Sequence, residues 1–279
     1  MDEGDASFRA LSARFWEQQW LWWDRIGAPL RPSPQDVEIF ERLVSERCPV
    51  SPRALLLGVT PELASMRWPA GTSLLAVDRS QGMIDNVWPR PALADARAVQ
   101  GDWHVLEVGD GAFDVIIGDG SFMQQPFPRG YDALARELRR VLAGDGLFVM
   151  RSFVRPDQQE SVVELLADLE GGTIGSFHVF KWRLLMGLQP DTASGVRLSD
   201  AWKVFYELFR DPAALAERRG WPLTTVQTID AYRGVDARYT YPTLGELGDA
   251  LSPYFSEQAR VVSSYELAER CPTQLWSRR

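Results

Sequence analysis

The chain of 279 residues is 45% hydrophobic and carries a net charge of -8, which excludes disorder as a whole and allows one large α/β domain with an insertion, or two modest domains sharing a core. No window offers the roughly 18 uninterrupted apolar residues of a membrane span, and the acidic opening MDEGDASFRA lacks the basic-then-apolar pattern of a secretory signal. A cytoplasmic protein with no membrane partner is expected, and the charge argues against broad contact with nucleic-acid phosphates.

Cys48 and Cys271 stand far apart and form neither a CxxC site nor a disulfide framework, so no metal is expected. Lysine occurs only at Lys181 and Lys203 among otherwise arginine cations, in keeping with codon bias in a GC-rich, bacterial source.

In chain order, FRALSARFWEQQWLWWDRIG sets Leu11, Phe15, Trp16, Gln19, Trp20 and Trp23 at helical spacings before Gly27, predicting one helix with an aromatic face. After the turn-rich PLRPSP, a helix with the stripe Val37, Phe40, Leu43 and Val44 is expected, with Ser33 as its N-cap and Pro34 in its first turn. Strands follow over ALLLGV (54–59), SLLAVD (73–78), ARAVQ (96–100), FDVIIGD (113–119) and GLFVMRSF (146–153), interspersed with helical PELASMRW, SQGMIDNVW, GYDALARELRRVLA and PDQQESVVELLADLE. Short Val, Ile and Leu runs ending at Gly or Asp suit a parallel sheet covered on both faces.

After Gly171-Gly172 the pattern becomes helical without βαβ units, through RLLMGL, SDAWKVFYELF and PTLGELGDALSPYF; ARVVSSYELA and TQLWSRR then supply two closing strands. The fold class expected is α/β: a doubly wound, mostly parallel seven-stranded sheet with helices on both faces. Four segments are expected: an N-terminal helical lid over 1–32, a Rossmann-like core over 33–171, a mainly helical insertion over 172–255, and the closing strands over 256–279.

In an open parallel sheet, ligands lie beyond the carboxyl ends of the strands. Gly58 allows a tight turn, with Thr60 as a candidate cap for the helix it opens; a plain β-to-α turn is an equal reading. Asp78 ends the second strand at the spacing from Gly58 of a carboxylate that accepts from ribose hydroxyls, or it caps the next helix. Gly101-Asp102-Trp103 suits adenine, the carboxylate accepting from the exocyclic amine and the indole covering the ring; a loop with a half-buried Trp is the alternative. Asp119, flanked by Gly118 and Gly120 and followed by Ser121, projects from the fourth strand into the crevice.

Taken together, LLLGVTPEL, LLAVDRSQGMI, VQGDW, FDVIIGDGSF and RELRRVLAGDGLFVMRSF resemble, in order and spacing, the class I S-adenosylmethionine-dependent methyltransferases over about residues 50–155. The first motif departs from the family's acidic, glycine-rich loop: only Gly58 remains, followed by VTPEL, a degenerate form found in a subset of bacterial members. The same loop disfavours a dinucleotide oxidoreductase, which needs a second glycine for its pyrophosphate.

The resemblance implies S-adenosylmethionine as cofactor. By position it puts Gly58, Thr60 and Glu62 at the amino-acid end, Asp78 at the ribose with Arg79 and Met83 beside it, Gly101, Asp102 and Trp103 around adenine, and Asp119, Gly120 and Ser121 at the junction with the acceptor. It implies methyl transfer to an O or N atom of a small molecule, with positioning as the main task and a base optional. Candidate bases are Asp119, His104 and His178, each histidine having packing as its rival reading. Trp16, Trp20, Trp22 and Trp23, as a roof over the site or a cage for a cationic amine, and Tyr206, Tyr232, Tyr239 and Tyr241, as hydrogen-bonding groups, are candidate acceptor contacts, against a plain core or surface role. A non-catalytic cofactor-binding sensor or partner subunit is the alternative function, and a homodimer is left open.

Overall fold

Five short Val-, Ile- and Leu-rich segments become the parallel strands β1 (Arg53–Leu57), β2 (Ser73–Asp78), β3 (Asp95–Gln100), β4 (Phe113–Asp119) and β5 (Leu142–Arg151). The computed structural model, which describes residues 3–279, adds a two-stranded ribbon, β6 (Val196–Arg197) with β7 (Arg238–Tyr239), and the closing strands β8 (Phe255–Val261) and β9 (Thr273–Arg278). The main sheet has seven strands in the order β3-β2-β1-β4-β5-β9-β8, with β9 antiparallel to both neighbours. This is the doubly wound, mostly parallel α/β sheet expected.

One detail of the closing strands goes beyond the sequence expectation and one differs from it. The last strand, β9, lies inside the sheet, and β8 takes the edge, where its alternation of half-buried and exposed residues, Glu257 and Arg260 included, blunts further pairing. The YELA segment does not extend β8; it leads into a single 3-10 turn, Ala268–Arg270.

The period-two alternation of the strands divides the core. Ala54, Leu56, Val115, Ile117 and Val149 face one side, where they pack under helices α2 (Pro34–Ser45), α3 (Pro61–Ala64) and α4 (Gln81–Val87), which follow the N-terminal α1 (Glu3–Trp16). Leu55, Leu57, Ile116, Phe148 and Met150 face the other side beneath α5 (Arg129–Val141). A third cluster belongs to α6 (Val162–Gly171), α7 (Phe177–Leu188), α8 (Leu198–Leu208), α9 (Pro212–Arg219) and α10 (Leu223–Val226). The packing changes over at points other than residues 171 and 255: α6 joins the insertion's cluster, whereas α11 (Leu244–Leu251) packs with α5 on the sheet. From Phe177 to Met186 every residue of α7 is buried, as in a helix surrounded by others.

The aromatic N-terminal segment is not one helix. It stops at Trp16 and resumes as a 3-10 helix over Gln19–Arg25. Four indoles within Trp16–Trp23 do not fit one stripe at 3.6 residues per turn: Trp16, Trp22 and Trp23 line the cleft, whereas Trp20 is partly exposed. No helix among the described residues is long and apolar enough to cross a membrane.

Candidate functional site

The strand order reverses between β1 and β4, so their carboxyl ends diverge and leave a crevice. A cleft of about 1180 Å³, its open mouth included, lies there, roofed by α1 and the aromatic 3-10 helix.

Of the residues expected from sequence, Gly58, Thr60, Asp78, Arg79, Met83, Gly101, Trp103 and Asp119 line the cleft, as do Trp16 and Trp23. Gly58 has φ +90°, and a Cβ there would stand 3.5 Å from Asp78 Oδ2 and 3.8 Å from the Trp103 ring. Glycine thus keeps open the point where carboxylate and indole converge. Trp103 Nε1 donates to the Val77 carbonyl at 2.6 Å, which fixes the ring.

The two readings of Asp78 separate here. The cap of α4 is Ser80, whose hydroxyl accepts from Met83 N, so Asp78 is not needed for that duty. Burial pushes the Asp78 carboxyl up to about 6 against the pull of backbone N–H donors from Ser80, Val59 and Arg79. A buried carboxyl beside a glycine and an indole fits the hydroxyl donors and flat base of a nucleoside. Thr60 occupies the N-cap position of α3 but makes no side-chain capping bond.

Other expected residues are held elsewhere. Asp102 accepts from Arg79 at 2.7 Å and from His104 Nδ1 at 2.9 Å and does not line the cleft. Although burial pushes it up, those donors hold Asp102 well below the usual carboxylate range. Its contribution is to orient Arg79, and His104 is tied to it away from the cleft. Glu62 pairs with Arg31 at 2.7 Å and so fastens the roof to α3. Gly120 (φ +63°) leaves room for the Phe153 ring, and Ser121 is buried behind Gly118.

Asp119 lines the cleft, yet both its oxygens are taken by the fully buried Arg151, at 2.7 and 3.0 Å. Burial pulls the guanidinium down, but Asp119 more than offsets this and holds Arg151 well above its ordinary value. An aspartate so paired is a structural anchor rather than a free base.

Residues 57–150 match the methyltransferase domain family. Over that stretch the chain carries a methyltransferase domain of the class I, S-adenosylmethionine-dependent kind. S-adenosylmethionine is its cofactor and, when bound, supplies an electrophilic methyl group on a sulfonium sulfur. No curated protein sequence matches the methyltransferase significantly.

Several solved structures share its fold. The 1,6-didemethyltoxoflavin-N1-methyltransferase of Burkholderia thailandensis, solved with 1,6-didemethyltoxoflavin and S-adenosylhomocysteine bound, is 14% identical with a TM-score of 0.53 over 99% of this chain and 90% of that one. A S-adenosylmethionine-dependent methyltransferase from Methanosarcina mazei is 14% identical, TM-score 0.50, over 88% and 98%. A protein of Rhodobacter sphaeroides described as a putative Zn-dependent alcohol dehydrogenase has 16% identity and a TM-score of 0.58 over 96% and 98%. At these identities the likeness is one of fold. Among the described residues, no group of three or more His, Cys, Asp or Glu side chains is arranged to hold a metal ion.

The methyltransferase's cleft has a second wall, in which Lys181 and Trp182 of α7, Thr228 and Phe153 after β5 escaped sequence reasoning, while Tyr232, Tyr239 and the roof's Trp22 were among its aromatic candidates. Lys181 is buried, donates to Thr228 Oγ1 at 2.9 Å and lies 5.2 Å from the centre of the Tyr232 ring. Burial pulls its amine down to about 7. The one available signal was its being one of two lysines in an arginine-rich chain.

His178, one turn earlier, does not line the cleft; burial, and then Lys181, push it down to about 3, so it is neutral. Tyr241 is fully buried against Trp182, 5.6 Å between ring centres, and is also outside the lining. Tyr206 bonds Asp230 and stacks on Trp202 away from the cleft. Trp20 is turned partly to solvent beside α4, where a Cβ on Gly82 would meet its ring.

Proposed function

We propose that this methyltransferase transfers a methyl group to an O or N atom of a small, flat acceptor bound in the aromatic half of the cleft. The observation that carries this reading is continuity: one cavity runs from Gly58, Asp78 and Trp103 to Trp16, Trp23, Trp182 and Tyr232. On this reading Gly58, Asp78 and Trp103 hold the nucleoside, Thr60 lies toward the amino-acid end, and the indole and phenol faces receive the acceptor ring.

In-line displacement at carbon asks the protein to align the acceptor and exclude water. A roof fastened by Arg31–Glu62 and a mostly apolar lining serve both tasks. A small-molecule acceptor is further supported by the Burkholderia relative, which holds 1,6-didemethyltoxoflavin together with S-adenosylhomocysteine. The net charge of -8 favours no nucleic-acid partner.

Calorimetry tests the reading. S-adenosylhomocysteine should bind and NAD should not, and Asp78→Asn should weaken S-adenosylhomocysteine about 10–100-fold, the worth of a hydrogen bond to a charged group. Equal binding of NAD, or none of S-adenosylhomocysteine, would refute it.

A further inference from the structure

Lys181 has an anomaly that packing does not account for. Its side chain is buried, and among the described residues it pairs with no carboxylate. An ammonium has three donors, and one is satisfied: Thr228 Oγ1 gives its own proton to the Thr225 carbonyl at 2.7 Å and so accepts from Nζ at 2.9 Å. The neighbouring indole Nε1 atoms of Trp16, Trp23 and Trp182, residues of the same cleft, are also buried without acceptors. Leaving a buried donor unsatisfied costs on the order of 1–3 kcal/mol, so a wall with several of them is matched to a ligand oxygen that the protein does not supply. Arginine, used almost everywhere else in this chain, would stay charged there; a lysine in an apolar wall can give up its proton.

We propose that Lys181 is the catalytic base for an acidic hydroxyl on an aromatic acceptor, a phenol-type substrate that this enzyme converts to its methyl ether. The proposal rests on the methyl-transfer reading above and names its substrate class. The hydroxyl proton passes to the neutral Lys181 amine, leaving a phenolate paired with the ammonium. The phenolate oxygen then bonds to the methyl carbon as the carbon–sulfur bond opens, with the bonding electrons staying on sulfur. Once the neutral ether has formed, the ammonium has lost its counter-ion and returns its proton to water. Burial, which draws the amine down to about 7, leaves a large share of it unprotonated near neutrality and so able to accept the proton of an acidic hydroxyl. Tyr232, Thr228 and the neutral His178 are the nearest polar neighbours, and none competes for the proton.

The probe is 4-nitrophenol, whose phenolate is yellow and whose phenol is colourless. Added to the full chain with S-adenosylhomocysteine near neutral pH, where free probe is only partly coloured and the Lys181 amine is partly unprotonated, it should deepen in yellow on binding. In Lys181→Met the deepening should be lost and the probe should bind about tenfold or more weakly, with S-adenosylhomocysteine affinity unchanged by calorimetry. Removing an unpaired buried amine should also leave that variant at least as heat-stable as the original. Absence of the deepening with the unsubstituted chain, or its persistence in Lys181→Met, overturns the proposal. Failure of the unsubstituted chain to bind S-adenosylhomocysteine at all overturns instead the methyl-transfer reading beneath it, so the two failures are distinct.

Discussion

Lys181 should leave a signature on stability as well as on catalysis. Burial lowers its amine from an ordinary 10.5 to about 7, so between those values the unfolded chain binds a proton that the folded chain does not. Stability therefore rises with pH across that window; below it both states are charged and the full desolvation penalty is present. Urea unfolding at a series of pH values should show a gain of a few kcal/mol that Lys181→Met abolishes. Parallel curves for the two proteins would mean that Lys181 is solvated in solution. On the proposed reading of Asp78 as the ribose partner, the pH dependence appears in binding: its carboxyl, raised by burial to about 6, accepts best from ribose hydroxyls when ionised. S-adenosylhomocysteine affinity should increase as pH rises through that value in the original protein and stay flat in Asp78→Asn. The place of Asp78 in the cleft was legible because it depends on position at a strand end. Lys181 was not, since a lone lysine within FHVFKWRLL looks the same whether its head reaches water or is enclosed.

Among the elements, the roof over the cleft is the least regular and the most informative. Its 3-10 segment is pinned at both ends: Glu17 accepts from Gly82 N at 2.9 Å, and Arg31 pairs with Glu62 while lying 4.8 Å from the Trp23 ring centre. Arg31→Ala removes one pin. Because the pair is partly solvated, global stability should fall by only about 1 kcal/mol, whereas amide exchange over residues 19–31 and quenching of the roof tryptophans should rise clearly. Unchanged exchange would show that packing alone holds the roof. The sequence pattern placed Trp16 and Trp23 on the roof's inner face but wrongly set Trp20 beside them, and it missed the break after Trp16, because an i, i+3, i+4 pattern is compatible with both helix types over so few turns.

At the scale of the whole molecule, Arg151 joins segments from across the chain: Asp119 at the end of β4, the Pro29 carbonyl in the roof, Asp36 in the capping box of α2, and Tyr265 in the closing segment. Removing one partner of such a buried network strands the others, at a cost of about 3–5 kcal/mol. Arg151→Met should lower urea-unfolding stability by that amount, and Arg151→Met with Asp119→Asn should cost less than the two changes added. Strict additivity would mean that the ion pair is not coupled.

The strand segments and the loops at their ends were determined by the sequence itself, because short apolar runs, periodicity and turn residues are local properties. The positions of Gly58, Asp78 and Trp103 in the cleft followed from that alone. Tertiary structure decided the rest. It took Asp102, His104, Glu62 and Asp119 into ion pairs or hydrogen bonds, enclosed α7 on every side, set β9 inside β8, and formed the second wall of the cleft around Lys181. The physical reason is separation: Lys181 meets Thr228 across 47 residues and Arg151 meets Asp36 across 115, and no local pattern encodes which distant polar group will be buried beside which.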